Sequence, residues 1–157
     1  MEPDAFSLAK ALGNGYPIAA VVAQRKLENV LTPGTHASTF GGTPLACAAA
    51  CAVIETLTAG GVLENCRVQG AYLMEQLRNL KQKYSCIREL RGKGLMIGVV
   101  LDFPAVELLA PLRSKGFLAL SAGETVLRLV PPLIITKEDC DQAVACIDAA
   151  LAEYTTK

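Results

Sequence analysis

The sequence contains no tryptophan and only one histidine, His36, and none of its six cysteines forms a C-x-x-C pair. A tetrahedral zinc site needs four ligands at suitable spacing, and we therefore expect no metal. Cys47 and Cys51 lie four residues apart in an alanine-rich stretch, but two thiols are too few. We interpret the cysteines as small apolar core residues, typical of a protein in a reducing cytoplasm, and His36 as a loop residue.

Net charge is absent as well, because 15 lysines and arginines balance 15 aspartates and glutamates. Without a basic stripe or a charged tail, nucleic-acid binding is not predicted. The longest apolar run, residues 45–54, is well short of the roughly 20 residues that a membrane-spanning helix needs. We expect no membrane partner, and no basic segment followed by an apolar one indicates a signal peptide.

Thr43 and Pro44 predict the start of a helix, with the threonine as N-cap and the proline at the first helical position. Alanine and cysteine occupy every side of this helix through Leu57, which predicts a buried helix. Gly60 and Gly61 end it, and we place a domain boundary near Gly60.

After residue 60 the pattern predicts a small α+β domain. A helix over 62–84 has an apolar face with a 4-3-4 spacing, and a capping box at Thr136–Asp139 opens a last helix with a similar face. Between them we predict strands at 87–90 and 95–101, a helix at 105–115, and strands at 117–120 and 126–130. The two helical faces consist of Leu73, Leu77, Leu80 and Tyr84, and of Cys140, Val144, Ile147, Leu151 and Tyr154.

Lys10 ends a short apolar segment and is followed at once by Gly13, Gly15 and Pro17. The lysine is therefore expected at the end of a strand, beside backbone that can turn sharply. A Schiff-base lysine needs a fixed stem, a partly dry site and room for a bulky aldehyde. The alternative is an ordinary surface lysine before a turn.

Arg128 lies in an apolar strand that Pro131 and Pro132 follow. A charge in such a strand is costly unless it is paired, and a planar guanidinium pairs in a two-pronged way with a carboxylate. The alternatives are a structural ion pair and a solvent-facing arginine. The segment 91–94, Arg-Gly-Lys-Gly, does not fit Gly-x-Gly-x-x-Gly, and we interpret it as a tight turn into a strand.

Four segments, residues 7–20, 33–47, 91–98 and 126–136, occur in an order and at a spacing that together resemble the class III, pyridoxal-phosphate-dependent aminotransferases. The resemblance covers essentially the whole chain and matches the C-terminal portion of the family. It implies an α/β protein, the C-terminal part of a fold-type I pyridoxal-phosphate-dependent transferase, ending in a small α+β domain. Residues 1–60 would be a piece of the large cofactor-binding domain with the interdomain helix, and 61–157 the small C-terminal domain.

The resemblance also implies roles for three residues. Lys10 would bind the cofactor pyridoxal 5'-phosphate covalently and later move a proton. Thr39 would donate a hydrogen bond to the cofactor phosphate from the neighbouring subunit, beside glycines that let backbone approach an anion; the alternative is a Ser/Thr turn before the Thr43 cap. Arg128 would hold the α-carboxylate of the substrate.

The implied reaction moves the ω-amino group of N-acetylornithine to 2-oxoglutarate, in arginine biosynthesis. Ornithine, succinylornithine and 4-aminobutyrate are alternative donors. The implied enzyme is a cytoplasmic homodimer with a composite active site. The sequence departs from the family pattern at Thr43, where asparagine is usual, and at Asn14 and Tyr16, among the glycines of the first motif.

Members of the family are much longer, so we expect the chain to be a fragment whose Met1 is an artificial or misplaced start. The 52% share of apolar residues is typical of a buried piece of a larger oligomeric enzyme. We expect the fragment to be inactive, to hold no cofactor and to be ordered mainly beyond Gly61. Apolar surface at 18–22 and 45–54 would be left exposed. The alternative function is a catalytically silent folding or dimerisation unit.

Overall fold

The computed structural model describes residues 2–156 and divides them into two compact units, with the division after Gly61. The first unit contains strands β1 (Ala5–Leu8) and β2 (Ala20–Ala23) and helix α1 (Pro44–Ala59). Within the described residues no single helix is long and apolar enough to cross a membrane. Two consecutive helices, Pro44–Ala59 and Val62–Lys83, meet that test by length and composition only when they are taken together.

Strands β1 and β2 form an antiparallel ribbon in which Ala5 pairs with Ala23 and Leu8 with Ala20. An ion pair between Lys26 and Asp4 and a hydrogen bond from the Gln24 backbone N–H to the Asp4 carbonyl, 2.9 Å long, close its open end. The ribbon has no third strand among the described residues. A two-stranded ribbon is marginally stable by itself, so this unit depends on its other contacts.

Helix α1 differs from the prediction in two ways. Thr43 has the extended backbone of an N-cap, but its side chain makes no capping hydrogen bond. The helix was expected to be buried, yet only Ala46 and Ala50 are buried, while Leu45 and Ile54 are 64% and 47% exposed. Apolar residues do occupy every side of α1, as the sequence predicts. Few other residues of this chain pack against them, however. The separate prediction that apolar surface at 18–22 and 45–54 is exposed in this chain is confirmed at Val21, Val22, Leu45 and Ile54.

The second unit is a four-stranded antiparallel sheet with three helices. Its strands are β3 (Ile87–Lys93), β4 (Met96–Leu101), β5 (Leu120–Ala122) and β6 (Val126–Leu129), in the spatial order β3-β4-β6-β5. Its helices are α2 (Val62–Lys83), α3 (Val106–Ser114) and α4 (Lys137–Thr155). An antiparallel sheet with helices packed against it is the predicted α+β pattern.

The helices cover one face of this sheet and form the core with it. The fully buried side chains come from the helical faces predicted above and from alternate strand residues. They include Leu73, Leu77, Leu108, Ile147 and Leu151 from the helices and Ile97, Val99 and Leu127 from the strands. The capping box is confirmed, because the Thr136 side chain accepts from the Asp139 N–H while Asp139 accepts from the Thr136 backbone.

Two further predictions are corrected. The strand expected at 117–120 begins only at Leu120, because Phe117 and Ala119 pack, partly buried, against the core instead of pairing with β6. The cysteines were all expected in the core, but only Cys86 and Cys140 are buried, and burial raises the pKa of both thiols. Cys47 and Cys51 are exposed on α1.

Helix α2 reaches the β3–β4 hairpin through two glycines. A Cβ added to Gly70 would lie 2.4 Å from the carbonyl oxygen of Gly94, closer than real Cβ atoms approach any heavy atom. Gly94 itself has a φ of 57° in the hairpin turn, a conformation that favours glycine. The backbones of α2 and the hairpin are therefore in direct contact.

Two side-chain clusters join α2 to α4. Asp148 accepts hydrogen bonds from the Tyr84 hydroxyl at 2.6 Å and from the Lys83 amine at 2.7 Å. Nearer the start of α2, Asp141 accepts from Tyr72 and from Lys137. Donation by the lysine first and the tyrosine second lowers the pKa of both carboxyl groups. The two helices are thus held together by charged hydrogen bonds at two levels.

Gly70→Ala should destabilise the second unit. Alanine favours a helix by about 1 kcal/mol over glycine, but its Cβ would lie 2.4 Å from a backbone carbonyl oxygen that no rotamer change can move. An overlap this close should cost the upper end of the typical range for overpacking, about 3 kcal/mol. We therefore expect a net loss of about 2 kcal/mol in urea unfolding followed by circular dichroism. Asn79→Ala, at an exposed position of α2, is the control and should not lower stability. An unchanged midpoint for Gly70→Ala would contradict the close backbone contact.

Stability of the second unit should fall in acid through Asp148. Its pKa in the folded chain lies below the ordinary value of 3.8, so its contribution is complete above that value and is lost as the pH falls through the lower folded pKa. The Asp148→Asn variant should be less stable near neutrality and should lose less stability between about pH 5 and pH 2.

The Tyr84→Phe variant separates the hydroxyl from the carboxylate. It removes one hydrogen bond to a charged group and should lower the unfolding free energy by about 1–2 kcal/mol. Because Lys83 is the larger cause of the shift, most of the acid slope should remain. Urea unfolding across the pH range measures both effects, and equal slopes for the wild type and Asp148→Asn would contradict this role of the carboxylate.

Candidate active site

Lys10 follows β1 by two residues and opens a 3-10 turn over Lys10–Gly13. Its φ is 57°, in the left-handed region, where the structure describes only one other residue besides glycine, Asn14. The turn packs against α1. The predicted place of the lysine, beyond the end of a strand and before a sharp turn, is confirmed.

The surroundings of Lys10 differ from the partly dry site that was expected. Its side chain is exposed and makes no hydrogen bond or ion pair with another residue of 2–156. Asn14, which stands among the glycines of the motif, has a φ of 46° and ends the turn by donating its backbone N–H to the Ala11 carbonyl. Asparagine tolerates this conformation better than most residues, so the departure from the motif leaves the turn intact.

A left-handed lysine is unusual, because a residue with a Cβ is strained there by about 1–2 kcal/mol. Such strain persists where the surrounding structure imposes it, and it clusters at functional sites. One backbone hydrogen bond, from the Leu12 N–H to the Ala9 carbonyl, spans Lys10 and is 3.1 Å long. Bonds from Asn14 to Ala11 and from Tyr16 to Gly13, 3.1 and 3.0 Å long, continue the turn after it.

Thr39 lies in the turn that leads into α1, also within the first unit. Its side chain is exposed and makes no hydrogen bond with another described residue. Gly41 packs close to Ser38, since a Cβ there would lie 3.0 Å from the Ser38 Cβ, and Gly42 has a φ of 71°. The glycines therefore fold the backbone tightly next to Thr39. His36 lies in the same loop, with its Nδ1 3.3 Å from the Thr35 hydroxyl oxygen.

Arg128 belongs to the second unit, in β6, between the buried residues Leu127 and Leu129. Its own side chain points away from the core and is exposed. It makes no ion pair within residues 2–156, so the structural ion pair considered above is not found there. Beyond β6, Asn65 donates to the carbonyls of Leu133 at 2.8 Å and Ile135 at 3.0 Å, which holds the segment after the two prolines against α2.

The strand register also shows what sequence reasoning missed. Arg91 and Arg128 both pair with Gly98, from opposite sides of β4. The segment 91–94 had been interpreted only as a turn, and it does form the end of β3 and the start of the hairpin. If the predicted strand 87–90 had been extended to residue 93, the alternation of its side chains would have placed Arg91 on the exposed face. The pairing of Arg91 with Gly98, however, follows only from the register of the strands.

The family model "Aminotransferase class-III" matches residues 1–151. The chain belongs to this family. Acetylornithine aminotransferase of Caldanaerobacter subterraneus subsp. tengcongensis is 47% identical over 152 residues, which are 96% of this chain and 38% of that protein. Ornithine aminotransferase of an Exiguobacterium species is 43% identical and covers 96% of this chain and 37% of its own length. The chain thus spans about two fifths of the relatives that it matches.

A solved structure is similar over the whole chain. The ornithine aminotransferase of Toxoplasma gondii, crystallised with oxidised glutathione and described with partial occupancy of pyridoxal phosphate at its active site, has a TM-score of 0.91. It is 34% identical and covers 100% of this chain and 39% of its own. The fold is therefore the matching part of a fold-type I class III aminotransferase, a family that uses pyridoxal phosphate.

The backbone strain at Lys10 predicts an unusual mutational pattern. Lys10→Gly should stabilise its turn relative to Lys10→Ala by about 1 kcal/mol, because glycine adopts a positive φ without strain. Hydrogen exchange at the Leu12, Asn14 and Tyr16 amides measures this, and about fivefold greater protection is expected for the glycine variant. Ala11→Gly, at a residue of the same turn without a positive φ, should lower protection. Equal protection in Lys10→Gly and Lys10→Ala would contradict the strained conformation.

Proposed function

We propose that this chain provides the lysine-bearing segment and the C-terminal domain of an aminotransferase that acts on an ω-amino group. The observation that carries the proposal is Lys10, held in a left-handed turn at a strand end within a chain of the class III family. Residues 2–61 would then be the end of the large cofactor-binding domain with its interdomain helix. Residues 62–156 would be the small α+β domain.

The residues of this chain that we assign to the cofactor are chemically suited to hold pyridoxal phosphate. The Lys10 amine is exposed and unengaged, so it can bond to an aldehyde. Thr39 offers an unengaged hydroxyl beside a tight glycine turn, which suits one phosphate oxygen. When bound, the cofactor would supply an electron sink that makes acidic the C–H bond of the carbon that bears the attached amine.

The residues of the chain would have three tasks. Lys10 would hold the aldehyde of the cofactor covalently, and its free amine would act as the base that moves a proton at the reacting carbon of the substrate. Arg128 would bind the substrate α-carboxylate through its planar fork. In 2-oxoglutarate this carboxylate is bonded to the reacting carbon, so Arg128 would orient that carbon directly. Thr39 donates its hydroxyl proton to a phosphate oxygen, and in our proposal it does so in the site of the neighbouring subunit. Each site of the resulting homodimer would be composite.

N-acetylornithine is the donor that we propose, with 2-oxoglutarate as acceptor, which would place the protein in arginine biosynthesis. The name of the 47% identical relative supports this choice. The ornithine aminotransferase at 43% identity supports ornithine as the second candidate, while succinylornithine and 4-aminobutyrate rest on the sequence resemblance alone. A cytoplasmic location also remains a prediction.

A complete site needs groups that stack on the cofactor ring, pair with its nitrogen and bind most of its phosphate. We propose that the 157 residues alone lack these groups and are inactive. Lys10 would then form a reversible bond that does not survive dilution. The competing function, a silent folding or dimerisation unit, is favoured by the exposed apolar side chains of Val21, Leu45 and Phe40, which a partner could cover.

Labelling of Lys10 tests the proposal. The chain is joined behind the N-terminal part of the Caldanaerobacter relative, and the chimaera is loaded with pyridoxal phosphate and reduced with borohydride. A pyridoxyl mass should appear on the peptide that contains Lys10. Lys10→Ala should remove that mass and lower transamination on the order of 10³-fold or more.

Lys26→Ala, a lysine of the same unit paired with Asp4, is the matched control and should retain both label and activity. The 157-residue chain by itself should be colourless after incubation with the cofactor and desalting. Label on a different lysine would refute the assignment of Lys10, and a stable yellow complex of the isolated chain would refute its proposed incompleteness.

A further inference from the structure

Gly13 is the buried residue of the turn that Lys10 opens. It is not among the glycines with a positive φ, so its backbone would accept other residues and only the missing side chain sets it apart. A Cβ added there would lie 2.8 Å from Cγ2 of Ile18 and 3.5 Å from Cβ of Tyr16. The Ile18 side chain therefore packs directly on the Gly13 backbone.

Ile18 has little freedom to yield at this contact. Its Cγ2 is attached directly to Cβ, and a β-branched side chain is stiff about the bond that would move this methyl group. Its backbone lies two residues before β2, which is paired with β1 through Ala20 and Leu8. Carbon atoms in ordinary contact are about 3.5 Å apart or more. Since only 2.8 Å is available, a methyl group at residue 13 would push the turn and Ile18 apart by about 0.7 Å.

The contact between Gly13 and Ile18 is coupled to the conformation of Lys10. All three residues lie in the segment that connects β1 to β2. The Leu12 N–H donates to the Ala9 carbonyl across Lys10, at 3.1 Å, so Lys10 and Gly13 belong to one hydrogen-bonded turn. A displacement of Gly13 must therefore move Lys10 with the turn or break that hydrogen bond.

Helix α1 limits the room for such a displacement. It packs against the turn, and its two buried residues, Ala46 and Ala50, lie four residues apart on one face. An alanine side chain has no rotamer to change, so this buried face is rigid. The turn is thus restricted by α1 as well as by Ile18, which is the situation in which a strained residue such as Lys10 persists.

We propose that Gly13 and Ile18 are positioning residues, which hold Lys10 at its positive φ and so direct its amine toward the cofactor. This inference rests on the proposed function, because it matters for catalysis only if Lys10 bonds to pyridoxal phosphate. A reacting group that is misplaced by about 1 Å loses on the order of 10²-fold in rate. A displacement of about 0.7 Å should therefore slow the reaction at least about tenfold.

The first experiment measures the conformation of Lys10 in the 157-residue chain without cofactor. Scalar couplings across the Lys10 backbone and its Cα chemical shift report φ. The wild type should show the values of a left-handed residue, and Gly13→Ala should move them toward those of a negative φ. In the double variant Gly13→Ala/Ile18→Ala, the new methyl group takes the place of the Cγ2 that is removed. The double variant should therefore regain the left-handed values.

The second experiment uses the chimaera described above, loaded with pyridoxal phosphate. Gly13→Ala should lower kcat at least about tenfold and change KM less than about threefold, because no substrate-binding group is altered. The kcat of Gly13→Ala/Ile18→Ala should exceed that of both single variants and lie within about threefold of the wild type. Activity is divided by the amount of Lys10 that borohydride labels, so a variant that merely folds less well keeps its kcat.

Ala11→Ser is the matched control. It also adds one heavy atom to the turn, but at an exposed residue without a positive φ. Both the couplings of Lys10 and kcat should match those of the wild type, because the added atom meets no packed neighbour.

The outcomes separate this inference from the proposed function. A double variant that is no better than Gly13→Ala overturns the inference, as does a positive φ or an unchanged kcat in Gly13→Ala. In each of these cases a label on Lys10 leaves the proposed function standing. The absence of label from Lys10 in the wild-type chimaera refutes the proposed function itself.

Discussion

Helices cover only one face of the four-stranded sheet, and this constraint decides where the chemistry of the second unit can lie. The strand alternation must send Ile97, Val99, Leu127 and Leu129 toward the helices, because these side chains supply the sheet's part of the core. The intervening residues then have to face away. A shift of one residue in β6 would bury Arg128 among leucines at a large desolvation cost. The hydrophobic core and the position of the guanidinium are therefore set by the same register.

Much of this unit could be predicted from the sequence because its signals are local. The apolar faces of α2 and α4 repeat at helical spacing, and the Thr136–Asp139 box depends on four consecutive residues. The errors arose where tertiary contacts decide the outcome. Residues 117–119 are apolar like a strand, yet Phe117 and Ala119 pack against the core, Leu118 is exposed, and none of the three belongs to a strand. The Thr43 hydroxyl, likewise, does not form the cap that its position favours. The row across Arg91, Gly98 and Arg128 could not be predicted, since no local signal sets the register between three strands.

The candidate site of the first unit was predictable for a different reason. Lys10 and Thr39 were identified by the order and spacing of motifs that resemble a family, and composition or periodicity alone left an ordinary surface lysine as an equal alternative. The structure adds a physical reason to regard Lys10 as special, because a lysine at a φ of 57° is held against its own preference. Its exposure runs against the dry surroundings that the chemistry needs. That mismatch is what a lysine would show if the groups that enclose it lie outside the 157 residues.

The two units differ in how much of their apolar side-chain surface is buried. In the second unit the apolar stripes of α2 and α4 are buried, and charged hydrogen bonds at Asp141 and Asp148 join the helices at two levels. In the first unit a two-stranded ribbon and an apolar helix leave Val21, Leu45 and Ile54 in contact with solvent. Covering exposed apolar area of this kind is favoured by the hydrophobic effect. Because the strained turn of Lys10 packs on that same helix, whatever covers α1 would also fix the turn. One contact on α1 would then both cover its apolar side chains and restrict the turn of Lys10.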